Sequence, residues 1–322
     1  MLRVSVVIPT SGRPELLGRC LNAVAAQTLR PRDFEVIVVD DRLDPETTKV
    51  VRALATSNPA LSVRLRMTRG RCGPAVARNL GWRAARAPII AFTDDDTIPA
   101  PTWLEEGLGA LTPPAVAVHG RVIVPTPDVP TDYERNTKGL EGAGFVTANC
   151  LVLKEALEKV GGFDERFRRA WREDTDLYFS LIEHAGPVLP APGAVITHPV
   201  RPGRWGECLR QHANLVFDAL LYKKHPALYR RVVLARPPWP YYIAVAGVSG
   251  AAGLLLAGRT SIAIVIALVA LLPIADLAHR RLSGTSPDPK HRLEVLITSL
   301  LIPFFAVYWR LRGAVRFRVP FL

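Results

Sequence analysis

Three consecutive carboxylates, Asp94-Asp95-Asp96, follow a short apolar run at residues 89–92. Carboxylates at alternate positions just past a strand can hold a hard divalent cation, which would also take diphosphate oxygens. A second acidic group, Glu173-Asp174 with Asp176, opens a helix-like stretch that ends near His184. Capping and the helix dipole favour acidic residues at such a start anyway. A carboxylate fixed there can also take the proton of an attacking hydroxyl. His198, after the apolar run 194–197, offers an imidazole nitrogen that could complete a metal shell. Taken alone, an ordinary acidic turn accounts for Asp94–Asp96 equally well, so the meaning of these groups depends on what positions them.

Periodicity supplies the positioning elements. Residues 4–8 are apolar almost without interruption and β-rich, as a strand covered on both faces should be. Thr10-Ser11-Gly12-Arg13-Pro14 is a turn with Pro placed to open a helix, and Leu16, Leu17, Cys20, Leu21 and Val24 then recur at helical spacing. A second strand over 34–39 ends at Asp40-Asp41. A helix over 45–56, a strand over 62–67, a helix over 73–87 opened by Pro74, and a strand over 89–92 follow. This alternation predicts an α/β architecture, an open and mostly parallel sheet flanked by helices with right-handed crossovers. Ligands bind beyond the carboxyl ends of such strands, so Asp40-Asp41 and Asp94-Asp95-Asp96 are expected to share one crevice. Further strands are expected over 116–124 and 147–153, and helices over 154–160 and 173–184. The polar loop between 125 and 144 is long enough to suggest a function of its own.

The 322 residues are 49% hydrophobic and 22% charged, with a formal net charge of +12. That excess suits nucleic acid, a nucleotide diphosphate or an anionic bilayer surface. Neither a zinc-finger spacing nor an aromatic ribonucleoprotein signature supports nucleic acid. From 240 to 278 charge almost vanishes, apart from Arg259 and Asp276. Segments 241–257 and 261–277 are each close to the ~20 residues that span hydrocarbon, and Trp239, Tyr241 and Tyr242 form an aromatic edge. Basic residues flank both outer ends, while the tip holds one Arg. The positive-inside rule therefore expects the N-terminal domain and the tail on the cytosolic face. A third apolar segment, 293–309, is interrupted by Pro303 and followed by Arg310, Arg312, Arg316 and Arg318. Crossing would place those charges outside, so an interfacial or re-entrant path is expected. Residues 206–224 have one apolar face that could pack on the domain or on the bilayer surface. The four cysteines are scattered and expected to be reduced. The apolar run near the N-terminus is too short for a secretion signal.

Several ordered elements resemble the family 2 glycosyltransferases of the GT-A fold. They are Val-Ser-Val-Val-Ile-Pro-Thr ending at Thr10, Val-Ile-Val-Val-Asp-Asp ending at Asp41, and Gly-Pro-Ala-Val-Ala-Arg-Asn ending at Asn79. Then come Asp94-Asp95-Asp96, Val-Gly-Gly-Phe-Asp-Glu-Arg-Phe ending at Phe167, and Glu173-Asp174-Thr175-Asp176-Leu177. The resemblance implies an inverting, metal-dependent transfer from a nucleoside-diphosphate-sugar to a hydroxyl acceptor, lipid-linked or glycan. It assigns Pro9, Thr10, Arg13, Asp40, Arg78, Asp94 and Asp95 to the nucleotide-sugar. Asp96, with Asp94 and His198, is assigned to a Mn²⁺ or Mg²⁺ ion, and Asp174 to the general base. Glu173, Trp171 and Asn149 are placed on the acceptor side.

One departure bears on the reaction. Processive polysaccharide synthases carry Gln-x-x-Arg-Trp after the base; here Arg204-Trp205 is present but position 201 is Arg. Single addition is therefore expected over processive synthesis. A catalytically inactive membrane scaffold of the same fold is the alternative from another class, although none of Asp40, Asp94, Asp96 or Asp174 is missing. The expected organisation is a GT-A domain over 1–205, an amphipathic linker over 206–238, a transmembrane hairpin over 239–278 and a basic tail over 279–322.

Overall fold

A computed structural model describes residues 2–322. The chain forms two compact units, Met1–Pro125 with Lys138–Val200, and Thr126–Thr137 with Arg201–Leu322. In chain order the elements begin β1 (Val4–Thr10), α1 (Pro14–Ala25), β2 (Phe34–Asp40), α2 (Pro45–Ser57), β3 (Ser62–Met67), α3 (Pro74–Ala84), β4 (Ile89–Thr93), β5 (Ile98–Pro99), α4 (Trp103–Ala110) and β6 (Ala117–Ile123). Next are α5 (Asp132–Lys138), which falls almost wholly in the second unit, then β7 (Asn149–Leu153), α6 (Lys154–Val160), α7 (Glu173–His184) and β8 (Val188–Thr197).

The first unit is built on an eight-stranded sheet in the order β3-β2-β1-β4-β7-β6-β8-β5. Successive side chains on a strand point to opposite faces, and β1 uses both. Val4, Val6 and Ile8 pack with Leu17, Leu21 and Val24 of α1, whereas Val7 packs with Ala75, Ala77 and Trp82 of α3. This explains the uninterrupted apolar run: neither face meets water. Gly81 lets α3 approach the sheet, because a Cβ there would stand 2.4 Å from Cγ1 of Val7.

Strands β3, β2, β1 and β4 are parallel neighbours, as expected. The other half is mixed. β7 runs antiparallel to both β4 and β6, β8 is parallel to β6, and β5 is antiparallel to β8. The parallel half brings Thr10, Asp40-Asp41 and Asp94-Asp95-Asp96 to one edge. The short β5–β8 pairing, with Ile98 opposite Thr197, brings the residue after β8, His198, back toward Asp96.

The second unit is helical. It contains α8 (Glu207–Gln211), a 3₁₀ turn (His212–Leu215), α9 (Val216–Lys224), α10 (Pro226–Leu228), α11 (Trp239–Leu256), α12 (Thr260–Leu282) and α13 (Pro289–Phe317). Among the described residues, α11, α12 and α13 are long and apolar enough to cross a membrane. The loop expected over 125–144 contains α5. Asp132 there holds Arg281 of α12 through two hydrogen bonds, 3.1 Å from Nε and 2.8 Å from Nη2. Arg135 donates to the carbonyls of Arg280, Arg281 and Ser283, capping the end of α12.

Candidate active site

The acidic triplet is braced from below. Oγ1 of Thr97 donates to the Asp94 carbonyl (2.8 Å), Oγ1 of Thr93 donates to the carbonyl of Ala148 (2.9 Å), and the Cys20 thiol lies 3.4 Å from the Asp94 carbonyl. The backbone is thereby fixed while the three carboxylates diverge. Asp95 turns inward, is fully buried, and accepts from Thr10 Oγ1 (2.6 Å) and Arg13 Nε (3.1 Å). Burial pushes its pKa up to about 6 against the pull of Arg13. Arg13 also reaches Asp96, 3.5 Å from Nη1 to Oδ2.

Asp94 turns toward α3. Arg78 Nη2 lies 2.7 Å from Asp94 Oδ1, and Nη1 lies 3.0 Å from Oε1 of Glu173. The guanidinium is 3% exposed and lies over the ring of Phe163. Burial alone would raise Asp94, but Arg78 outweighs it and holds this carboxyl below its usual range. Glu173 goes the other way. Burial, reinforced by the neighbouring Asp174, pushes it up to about 7 despite Arg78.

Asp174 stands at the first turn of α7 and keeps some exposure. Its carboxylate accepts from its neighbour's backbone, Thr175 N, at 2.6 Å. Burial raises its pKa above the ordinary aspartate range, which suits a group that must take a proton. The preceding residue, Arg172, has a φ of 73°, and its guanidinium lies over the Trp171 ring. Strained backbone of this kind persists where the surroundings over-determine it. Gly73, with φ 100°, packs against that loop: a Cβ on it would meet the Arg168 carbonyl oxygen at 2.7 Å.

Among the described residues no three His, Cys, Asp or Glu side chains already form a cage. Asp96 Oδ1 and His198 Nε2 do face each other at 3.7 Å, and His198 Nδ1 is buried with no partner. With metal–ligand distances of about 2.1 Å, that separation fits two ligands on one cation. The donor set therefore fits an open site, in which a diphosphate and water would supply the remaining ligands. Asp94 belongs beside it as a neighbour already engaged by Arg78.

Residues 5–163 match the model of glycosyl transferase family 2. Glycosyltransferase AglE of Haloferax volcanii is 30% identical over 223 residues, covering 65% of this chain and 70% of that protein. This chain belongs to glycosyl transferase family 2. It is a glycosyltransferase with a nucleotide-sugar donor. A hyaluronan synthase of Pasteurella multocida is 23% identical over 274 residues, but that match spans 28% of the synthase. The fold is that of the mannosyltransferase PcManGT from Pyrobaculum calidifontis, solved in complex with GDP-Man and Mn²⁺. That likeness has a TM-score of 0.59 at 20% identity and covers 97% of this chain and 86% of that one.

Within this glycosyltransferase, several residues expected to touch substrate also make contacts that hold the scaffold. Asp40 is fully buried, and its oxygens accept from the backbone N–H groups of Arg42 and Asp44, so it shapes the loop after β2. Pro9 is buried within β1. Asn149, assigned to the acceptor side, is fully buried and braces the sheet: its amide donates to the carbonyls of Arg121 and Ala194 and accepts from Trp103 Nε1. Glu173, 3% exposed, backs Arg78 and presents no open face to an acceptor. Two bracing residues were given no individual role from the sequence. Asp41 accepts from Thr68 Oγ1 and from the backbone of Cys72 and Gly73, tying β2 to the start of α3. Asn79 bonds both the N–H and the carbonyl of Phe163. Both stand inside the quoted family elements, and that adjacency was the available signal.

Proposed function

We propose that the enzyme transfers one sugar, with inversion, from a nucleoside-diphosphate-sugar to a hydroxyl of a lipid-linked or glycan acceptor at the cytosolic face of a membrane. The observation that carries this reading is the facing pair Asp96 and His198 beside the Asp94–Arg78–Glu173 ladder, with Asp174 next in the chain. Asp96 and His198 would hold a Mn²⁺ or Mg²⁺ ion. When bound, that ion neutralises charge on the leaving diphosphate.

The protein's own groups do the rest. Arg78 fixes Asp94 against α3. Arg13, 32% exposed at its side chain, can also meet donor phosphate. Asp174 takes the proton of the acceptor hydroxyl as that oxygen bonds to the anomeric carbon. Attack from the side opposite the departing diphosphate inverts the configuration in a single displacement. Arg at position 201, where processive synthases have Gln, supports single addition. The α11–α12 hairpin would anchor the enzyme, and its apolar character supports a lipid-linked acceptor.

A panel of nucleoside-diphosphate-sugars, GDP-mannose included, incubated with enzyme and Mn²⁺ or Mg²⁺, tests this directly. Metal-dependent binding and slow hydrolysis of one donor is the expected result. Hydrolysis or transfer that persists undiminished in chelator-treated enzyme would reject the metal assignment.

A further inference from the structure

Helix α13 is 29 residues long, and by length and composition it could cross a membrane. Its neighbours speak against that. Glu294 accepts from the backbone N–H of Gly206 at 2.8 Å, at the start of α8. Far along the helix, a Cβ on Gly313 would meet the Val216 carbonyl oxygen at 2.7 Å and the Ala219 Cβ at 3.0 Å. At its end, Lys223 Nζ donates to the Phe317 carbonyl (2.8 Å). Residues 206–223 thus run alongside 294–317 in the same direction. That companion segment includes Glu207, Arg210, His212, Asp218 and Lys223, which have no place in hydrocarbon. What lies beside it along its length shares its depth.

The α12 contact agrees. Arg281, one residue from the end of α12, donates to Thr298 Oγ1 (2.9 Å) and Ser299 Oγ (2.8 Å). A spanning helix that turned back through the loop at 283–288 would set Arg281 against the first turn of α13. Here the end of α12 meets the body of α13 instead.

The exposed face of α13 is mostly apolar between Leu293 and Leu311, with Val315 beyond it. Leu293, Ile297, Leu300, Leu301, Tyr308 and Val315 are 36–79% exposed and extend over roughly 33 Å at 1.5 Å per residue. Arg292 near one end and Arg312, Arg316 and Arg318 near the other are also exposed.

We propose that α13 lies in the plane of the membrane, its leucine-rich face sunk into the acyl–headgroup boundary of one leaflet and α8–α9 riding on its other face. The occupant of the exposed face is lipid. The face continues from the apolar hairpin that α13 packs against, and the arginines at both ends complement anionic headgroups. The inference rests on the membrane anchoring proposed above, but not on which face the enzyme occupies.

Nitroxides placed singly at 293, 297, 300, 308 and 315, in full-length enzyme in phosphatidylcholine–phosphatidylglycerol nanodiscs, give the test. Collisional accessibility to oxygen against a water-soluble relaxant should report one shallow depth for all five, about 5–10 Å below the headgroups. A depth that peaks near 300–308 and returns to the surface at both ends would mean that α13 spans, and would overturn the proposal. Loss of oxygen accessibility at all five would mean that protein, such as a second copy, covers the face, and would also overturn it. Cysteines at 290 and 318 should react with an impermeant maleimide from the same side; reaction from opposite sides overturns the proposal. Position 259 is scored separately. Should it label from the same side as 290, the hairpin reading fails while the in-plane helix still stands or falls on its depth profile.

Discussion

At the scale of single residues, the distinction that matters is between carboxylates held by the scaffold and those left for chemistry. Asp40, Asp41, Asp95 and Glu173 are the first kind; the proposed chemistry falls to Asp96, buried beside Arg13 and His198, and to the partly exposed Asp174. Asp174→Asn should reduce turnover by about 10²–10⁴-fold, the usual cost of losing a general base, with donor affinity nearly unchanged by calorimetry. Asp96→Asn should weaken metal-dependent donor binding as well as the rate, and the same titration separates the two. The pH behaviour follows from burial. As the proposed base, Asp174 would have to be ionised to act, and its raised pKa should place the acid limb of kcat/KM above the ordinary aspartate value; a limb near pH 4 would exclude it as base. Glu173 has an ordinary value of 4.5 and reaches about 7 in the fold. Between those values the folded chain holds a proton that the unfolded chain has released, so rising pH costs stability over that window. The thermal midpoint should therefore fall from pH 4.5 to 7 more steeply in the wild type than in Glu173→Gln. The sequence made the acidic clusters visible because each is local. It could not show that Arg78 joins Asp94 to Glu173, since Glu173 is 95 positions from Arg78.

At the scale of elements, strands and helices with uniform periodicity were legible and punctuated ones were not. The strand at 62–67 and the helices at 154–160 and 173–184 match their expected bounds. β8 was not expected as a strand, only its end noted as an apolar run at 194–197, because Pro190, Pro192 and Gly193 interrupt its alternation; the sheet registers a bulge between Gly120 and Arg121 opposite it. The antiparallel half of the sheet escaped notice for the same reason: its register is set by long-range pairing, not by local pattern. α5 has no buried residue, so no hydrophobic period marks it; its bonds to Arg280, Arg281 and Ser283 hold it. Local geometry also yields a test. In Gly73→Ala the new Cβ would meet the Arg168 carbonyl with φ still at 100°. The cost should be about 1–3 kcal/mol, read as a lower thermal midpoint. Because residues 168–172 lead into α7, activity should fall further than stability alone predicts; unchanged kinetics would mean that this loop does not set the position of Asp174.

At the scale of the whole molecule, the proposed hairpin places Arg259 at its tip, since a charge at mid-membrane would cost roughly 2.5–3.5 kcal/mol on insertion scales. A single cysteine at 259 in a cysteine-free background should label from outside the cell and one at 285 only after the cytosolic face is opened; the reverse pattern would invert the enzyme. The division into two units carries a consequence for how the chain is made. Residues 126–137 are translated amid the catalytic sheet, yet their partners lie in the membrane unit: the Asp132 carboxylate waits for Arg281, 149 positions later. At about 5–20 residues per second, synthesis leaves that arm unseated for roughly 7–30 s after it emerges. Biogenesis of this enzyme is therefore not strictly vectorial. A segment made near the middle of the chain can seat only after Arg281, at the end of α12, has been made.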